Sequence, residues 1–168
     1  KNINKFVDQD RLIEMPVSEN GAVGVAIGSA ISGMKPIVSF HRMEFALLAL
    51  EQIINNAAKT SFLSVGKEKV PIVIRLIIGR GWGQGPNHSQ SLEVFFAHVP
   101  GLKVIAPTFP TDAKGMLINA IRDKNPVIMI EHRWCHYLKD NVPTKSYLEP
   151  LTGSKVVRQG KHFTIVSV

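Results

Sequence analysis

Apolar and polar positions along this 168-residue chain follow two periods in turn. Short runs rich in Ile and Val predict strands, because buried strands of a parallel sheet read as continuous apolar stretches. Apolar residues spaced three and four apart predict helices between them. The predicted strands are residues 11–15, 35–40, 70–78, 102–107 and 126–132, and the predicted helices are residues 20–33, 43–63, 89–99 and 110–123.

This regular order of strands and helices is typical of an α/β domain. It predicts an open, mostly parallel sheet with helices on both faces. We expect the domain to occupy residues 1–150, without its N-terminal part, and to end in a loop at residues 133–153. Residues 151–168 are interpreted as a linker and the first strand of a truncated C-terminal domain.

Composition adds few constraints to this fold. The net charge is +7, but Lys and Arg are spread mostly singly along the chain, whereas a nucleic-acid-binding face concentrates its charge. The single cysteine, Cys135, excludes an internal disulfide and fits a reducing cytosol. No apolar run reaches the roughly 18 residues that cross a bilayer, so neither nucleic acid nor a membrane is expected as a partner.

Ligands of open α/β sheets collect at the carboxyl ends of the strands. Three segments are expected at that edge, namely residues 18–20, 40–45 and 79–90. The first contains Glu19, at the start of a helix made largely of Gly, Ala and Val. A neighbouring Ser or Asn could cap this helix, but capping does not explain a carboxylate at Glu19.

The glycine clusters do not match nucleotide-binding loops. Residues 21–28 read G-x-x-G-x-x-x-G, not the dinucleotide fingerprint, and are interpreted as a surface for close helix packing. The stretch "GRGWGQGPNHSQ" at residues 79–90 lacks the Lys-Ser/Thr of a P-loop. A surface loop is one interpretation, but Trp82 is costly to expose. His88 precedes a predicted helix, whose N-terminus would favour the neutral imidazole and an acid/base role.

Two further polar groups have alternative interpretations. His132, Cys135 and His136 lie within one turn, but no second cluster supplies ligands at zinc-like spacing, so no metal is expected there. His41 and Arg42 could meet an anion at the start of the following helix, or they could form a solvated charge pair.

Several segments together point to one enzyme family. They are "RLIEMPVSENGAVGVAIGSAISGMKPIVSF", "ALEQIINNAAKTSF", "VPIVIR", "NHSQSLEVFFAHVPGLKVIAPTFPTDAKGMLINAIRDKNPVIMIEH" and "VVRQGKHFTIVSV". They resemble the beta subunit of the thiamine-diphosphate-dependent 2-oxo acid dehydrogenases of the pyruvate and branched-chain types. The resemblance runs from about residue 11 to the end and implies the pyrimidine-binding domain of this transketolase-like superfamily.

The resemblance implies roles for individual residues. Glu19 would be a catalytic and cofactor-binding acid that hydrogen-bonds ring nitrogen N1′ of the aminopyrimidine of thiamine diphosphate, and its small apolar neighbours would favour the protonated form. Phe45 would stack on the aminopyrimidine. His88 would be catalytic, close to the reacting carbon. A structural potassium ion would take mostly carbonyl ligands from Ile72, Ala120, Asp123 and Asn125.

The resemblance also implies partners. The family's diphosphate- and magnesium-binding motif, G-D-G followed by a distant Asn, is absent here because the alpha subunit carries it. An alpha subunit, a second beta subunit and a lipoyl-domain acyltransferase are therefore the expected partners. The complex, cytoplasmic or in the mitochondrial matrix, would decarboxylate a 2-oxo acid oxidatively and transfer the acyl group to lipoamide.

Some residues depart from the family's common pattern. His41 and Arg42 stand where common members are less basic, and "GRGWGQGPN" is unusual, which indicates an atypical oxo acid or acceptor. Two alternatives stay open. One is a transketolase-like enzyme with a carbonyl acceptor. The other is a non-catalytic α/β docking module, which would need none of Glu19, Phe45 and His88.

Overall fold

A four-stranded parallel sheet forms the centre of the protein. The structure is a computed structural model that describes residues 3–81 and 83–167, so Trp82 lies outside the described residues. The strands are β1 (Ile37–Phe40), β2 (Val73–Ile78), β3 (Lys103–Ile105) and β4 (Val127–His132). Their spatial order is β1-β2-β4-β3, so the two longest and most apolar strands lie in the middle.

Helices connect these strands. The α-helices are α1 (Glu19–Ile31), α2 (Ala58–Leu63), α3 (Glu93–Ala97) and α4 (Pro110–Arg122). Short 3-10 turns occur at Ile3–Lys5, Gln9–Arg11, Pro86–His88 and Arg133–Tyr137. Of the helices in the described part of the chain, none combines the length and the apolar content that crossing a membrane requires.

The middle strands send alternate side chains to two opposite faces, as the strand period of two requires. One face packs against α1 and the helical region of residues 43–57, while the other packs under α4. The side chains on the first face are Ile74, Leu76, Ile128 and Ile130, and those on the second are Val73, Val127 and Met129. The predicted class, an open parallel α/β sheet with helices on both faces, is confirmed.

The helix predicted at residues 43–63 changes its type twice. A 3-10 helix at Met43–Ala49 and a π-helical stretch at Gln52–Ala57 precede α2. Polar side chains bridge the π stretch, where Asn56 Nδ2 donates to Gln52 Oε1 at 2.9 Å. Such departures from α-helix are frequent at functional sites, and the 3-10 part begins three residues after the carboxyl end of β1.

Two predicted strands are not formed. Residues 12–16 have no regular structure and follow the 3-10 turn Gln9–Arg11, and residues 155–167 are exposed and contain no strand. A strand needs a neighbour for its backbone N–H and C=O groups, and the described sheet pairs with neither segment. The described residues contain no strand at 155–167, and both the domain division at residue 150 and the start of a C-terminal domain after it stay predictions.

Candidate active site at the carboxyl ends of β1 and β2

The segment after β1 is joined to the segment after β2 by a contact from each of four consecutive residues. Arg42 Nη1 donates to the Gly79 carbonyl (3.0 Å), the Leu92 N–H points at Met43 Sδ (3.0 Å), the Gln90 N–H donates to Glu44 Oε1 (2.6 Å), and the Phe45 ring lies against the His88 ring. Two of the three segments expected at this edge of the sheet therefore meet there.

Phe45 and His88 form an aromatic pair. Their ring centroids are 5.5 Å apart and their planes are tilted by 46°. Phe45 is still 38% exposed, so part of its ring can receive a ligand. His88 Nδ1 is buried and has no hydrogen-bond partner among the described residues. The structure thus brings together two of the three residues predicted to handle the cofactor.

The prediction that His88 lies at the N-terminus of a helix is wrong. His88 ends the 3-10 turn Pro86–His88, and α3 begins only at Glu93. Ser91 Oγ instead donates to the Glu93 carboxylate at 2.7 Å, ahead of the helix. The imidazole is held by the loop and by Phe45, so its placement does not depend on a helix dipole.

Glu19 is the first residue of α1 and is half-buried. Ser18 occupies the N-cap position, but its side chain makes no capping hydrogen bond. Within residues 3–81 and 83–167, the Glu19 carboxylate forms neither a hydrogen bond nor an ion pair, and no hydrogen bond or ring contact joins it to Phe45 or His88. α1 packs against the 3-10 helix that carries Phe45. The carboxylate is therefore available to a ligand, as an acid for a cofactor would need to be.

The glycines of α1 only partly match the predicted packing surface. A side chain at Gly24 would contact Gln52, whereas nothing lies within 4 Å of the position a side chain would take at Gly28. The core side of α1 is formed by Val23, Ala26, Ile27 and Ala30. The opposite side, with Gly21, Val25 and Gly28, is exposed.

Sequence reasoning missed the burial of Arg42 and the role of Glu44. Arg42 is only 4% exposed, so the solvated charge pair is excluded for it, while His41 is exposed. Burial lowers the pKa of Arg42, the positive charge of Arg133 lowers it further, and Glu44 partly offsets both. Arg42 lies at the N-cap position of a helix and Glu44 in its first turn, where both residue types are usually solvated, so no local signal indicated their burial.

A second polar centre lies beside a cavity of about 440 Å³ between the sheet and α4. Glu131 of β4 is 8% exposed and accepts from Arg75 of β2 through both oxygens, at 2.5 and 2.8 Å. These hydrogen bonds raise the pKa of Arg75. The sequence analysis missed this pair, although a single charge of each sign in two neighbouring apolar strands could have indicated it.

The His and Cys residues after β4 are used separately. His136 Nε2 lies 3.1 Å from Glu131 Oε2, and His132 Nδ1 accepts from the Trp134 N–H at 3.2 Å. Cys135 is a free thiol at the wall of the cavity. In the described part of the chain, no three His, Cys, Asp or Glu side chains are placed to hold a metal ion.

Two of the carbonyls assigned to potassium, those of Ile72 and Ala120, already accept hydrogen bonds. The Ile72 carbonyl accepts from the Val127 N–H at 2.9 Å, and the Ala120 carbonyl accepts from Asp123 at 3.2 Å. Asp123 pairs with the ammonium of Lys103 and accepts from the Asn125 N–H at 2.9 Å. The Lys103 cation disfavours a second cation beside it, so these residues fit potassium poorly and we derive no step from it. Potassium binding here stays a prediction.

The architecture is that of transketolase-like α/β domains. A solved structure described as the inactive beta4 tetramer of a split-gene transketolase matches with a TM-score of 0.63 over 79% of this chain and 42% of that chain. The identity is 21%, at which the likeness shows the fold alone.

The sequence comparison is closer. The family model of the transketolase pyrimidine binding domain matches residues 1–135, which is most of the chain. The chain therefore belongs to the transketolase pyrimidine-binding domain family.

Curated relatives carry related names. The beta subunit of acetoin:2,6-dichlorophenolindophenol oxidoreductase of Cupriavidus necator is 44% identical over 94% of this chain and 47% of its own length. The pyruvate dehydrogenase E1 component subunit beta of Porphyra purpurea is 45% identical over 99% of this chain and 50% of its own length. The mitochondrial pyruvate dehydrogenase E1 component subunit beta of Rattus norvegicus is 42% identical over 97% of this chain and 46% of its own length. The chain spans about half the length of the curated relatives it matches.

Proposed function

We propose that this chain supplies the aminopyrimidine half of a thiamine diphosphate site in the beta subunit of a 2-oxo acid dehydrogenase. The activity is oxidative decarboxylation of a 2-oxo acid, with transfer of the acyl group to lipoamide. The names of the pyruvate and acetoin relatives support this class of enzyme. The observation that carries the proposal is the Phe45–His88 pair, with a buried unpartnered nitrogen, at the carboxyl edge of the sheet.

The residues present fit the cofactor. An aminopyrimidine needs an aromatic face and a carboxyl group, and the exposed part of Phe45 and the unpaired carboxylate of Glu19 provide one each. Buried polar atoms in proteins are nearly always paired, so the lone His88 Nδ1 indicates a ligand or water at that position. Thiamine diphosphate, when bound, supplies the carbon that adds to the oxo group and holds the electron pair released with carbon dioxide.

Each residue then has a defined task. Glu19 donates a hydrogen bond to the pyrimidine ring and controls a proton there. Phe45 orients the ring by stacking. His88, held by its contact with Phe45, donates to or accepts from the oxygen and acceptor groups at the reacting end.

The chain needs partners for the rest of the site. It contains no diphosphate or magnesium motif, so an alpha subunit holds that end of the cofactor. The exposed side of α1, with Gly21, Val25 and Gly28, is flat enough for close approach of another helix. We place the protein in an α2β2 assembly with a second beta subunit and a lipoyl-domain acyltransferase, in the cytoplasm or in the mitochondrial matrix of a eukaryote.

Replacing Glu19 by glutamine tests this proposal. In the intact subunit assembled with its alpha partner, we expect Glu19→Gln to slow hydrogen–deuterium exchange at the thiazolium carbon of bound cofactor by about 10²–10⁴-fold. Glu14→Gln is the matched control, because Glu14 is an exposed carboxylate five residues earlier, and it should leave the exchange unchanged.

The outcomes separate the alternatives. An unchanged exchange rate in Glu19→Gln would remove Glu19 from the site. Absence of cofactor binding in the assembled wild type would favour the docking module. Rapid exchange together with transfer to aldehydes and not to lipoamide would favour the transketolase-like reaction.

A further inference from the structure

The unpartnered buried polar atoms of the described residues are all in one place. They are Arg42 Nε, Arg42 Nη2, Glu44 Oε2 and His88 Nδ1. A buried polar atom without a partner costs about 1–3 kcal/mol, and more when it carries charge. Their concentration beside the proposed catalytic pair indicates that a ligand or water completes some of them, and the Arg42 cation has the largest free-energy cost of the three groups.

One edge of the Arg42 guanidinium is fixed and the other is unused. Nη1 donates to the Gly79 carbonyl at 3.0 Å. Gly79 has φ +115°, and a side chain there would come within 3.2 Å of the His132 ring, so this carbonyl is held in position. The Nε–Nη2 edge has no partner among the described residues. Arg75 presents the same edge to the Glu131 carboxylate, at 2.5 and 2.8 Å.

Among the described residues, one negative side chain, Glu44, and one positive side chain, Arg133, act on the pKa of Arg42. Glu44 accepts the Gln90 N–H at 2.6 Å through Oε1, and its Oε2 has no partner among the described residues. Arg133 adds positive charge on the other side. A cation removed from water in this way binds an anion strongly, because little solvation remains to be lost. A carboxylate matches the fork of the free edge.

The position of Arg42 suits a group on the substrate. Arg42 is the N-cap of the 3-10 helix that contains Phe45, and the Phe45 N–H donates to the Arg42 carbonyl at 3.3 Å. Residues three apart in a 3-10 helix lie one turn, roughly 6 Å, from each other on the same side. Arg42 therefore lies one turn before the residue on which the cofactor is proposed to stack.

We propose that Arg42 determines substrate specificity by binding a second acid group of the 2-oxo acid, so that the natural substrate is a dicarboxylic 2-oxo acid. The inference rests on the proposed function. The carboxylate next to the oxo group is not the one bound, because it leaves as carbon dioxide, and holding it would stabilise the ground state more than the transition state. The Nε and Nη2 atoms are buried in the chain alone, so this binding requires that they become accessible in the assembled enzyme.

Length-matched substrate pairs test the inference in the assembled enzyme. Each pair has the same number of carbons and differs by one terminal carboxylate: 2-oxobutyrate and oxaloacetate, 2-oxopentanoate and 2-oxoglutarate, 2-oxohexanoate and 2-oxoadipate. We expect the wild type to prefer the diacid in at least one pair. Arg42→Gln should lower kcat/KM for that diacid about 30- to 100-fold and change its monoacid partner less than about threefold.

Two further variants sharpen the test. Arg80→Gln removes a neighbouring exposed arginine and should leave the diacid preference intact. Arg42→Lys keeps the positive charge but not the fork, and should still lose at least about tenfold for the diacid. It also gives a result if the glutamine variant fails to fold.

Several results would overturn the inference. They are equal losses for both members of a pair, no diacid preference in the wild type at any length, or full retention of the preference in Arg42→Lys. Hydrogen–deuterium exchange at the thiazolium carbon separates this failure from failure of the proposed function. If exchange is rapid in wild type and Arg42→Gln while the preference is absent, only the inference about Arg42 is wrong.

Discussion

Truncating Phe45 measures how much this chain contributes to cofactor affinity. The residue is 38% exposed, which corresponds to about 75 Å² of ring surface for a side chain of this size. Covering that area with an aminopyrimidine contributes about 2 kcal/mol at about 25 cal/mol per Å², and stacking adds about 1 kcal/mol. Phe45→Ala should therefore weaken thiamine diphosphate binding by about 3 kcal/mol, or roughly 10²-fold.

A second substitution separates stacking from burial. Phe45→Leu keeps most of the apolar surface but has no ring, so it should lose only the stacking part, about 1 kcal/mol or fivefold. Titration calorimetry on the assembled enzyme with magnesium gives the dissociation constants. Phe62→Ala is the matched control, because Phe62 is 85% exposed on α2 and should leave the affinity unchanged.

Three results would refute the reasoning. A dissociation constant for Phe45→Ala within about threefold of wild type would show that the cofactor does not lie on this ring. Equal losses for the leucine and alanine variants would show that stacking is irrelevant. A similar loss for Phe62→Ala would point to a general defect of assembly.

Three other predictions follow from the described contacts. His88→Ala should slow acyl transfer to lipoamide about 10²-fold and leave thiazolium exchange within about threefold, whereas equal losses in single-turnover kinetics would indicate a structural role. Glu131→Gln should lower the free energy of unfolding in urea by about 2–3 kcal/mol, less than for a fully buried ion pair because the Arg75 side chain is 36% exposed. The control Glu68→Gln should change the free energy of unfolding by less than about 0.5 kcal/mol. Burial would raise the pKa of Asp123, but hydrogen bonds from Lys103 and Asn125 outweigh burial and lower it. The stability from this pair is therefore present above the unfolded pKa of about 3.9 and lost as pH falls through the lower folded value, so the difference between wild type and Asp123→Asn should vanish in strong acid.

The sheet was predictable because its middle strands are buried on both faces. Val73 to Ile78 and Val127 to Ile130 form nearly unbroken apolar runs, and the register places them side by side. A strand that is buried on both faces has apolar residues at successive positions, so its local composition is enough to predict it. The prediction at residues 11–15 failed because an apolar pair is a weak signal and pairing depends on a distant neighbour.

The meeting of Phe45 and His88 was predictable only in part. The carboxyl-edge rule placed both segments at one end of the sheet, and the family resemblance singled out the two side chains. The contact itself depends on the 3-10 geometry of Met43–Ala49. The helix preferences of these residues do not predict a 3-10 helix in place of an α-helix. The error about a helix after His88 has the same origin, since apolar period does not fix where a helix begins.

Arg42 and Glu44 show what sequence reasoning could not reach. Both partners, the Gly79 carbonyl and the Gln90 N–H, are backbone groups 37 and 46 residues away. Nearly every residue carries the same backbone N–H and C=O groups, so the sequence does not indicate which of them a given side chain will bind. Arg75 and Glu131 are 56 residues apart along the chain, but there opposite charges in two apolar strands could have indicated the pair.

Unpartnered buried polar atoms and exposed apolar side chains occur close together at α1 and residues 42–49, which pack against each other. Buried polar atoms lack partners at Arg42 and Glu44, although such atoms are nearly always paired in proteins. Apolar side chains are exposed at Val25 (57%) and Leu48 (64%), although large exposed apolar groups collect at interfaces. A partner subunit that covers these helices would bury the apolar surface, and the ligand enclosed between the two would supply the missing hydrogen bonds. Under the proposed function, one interface would therefore meet both requirements.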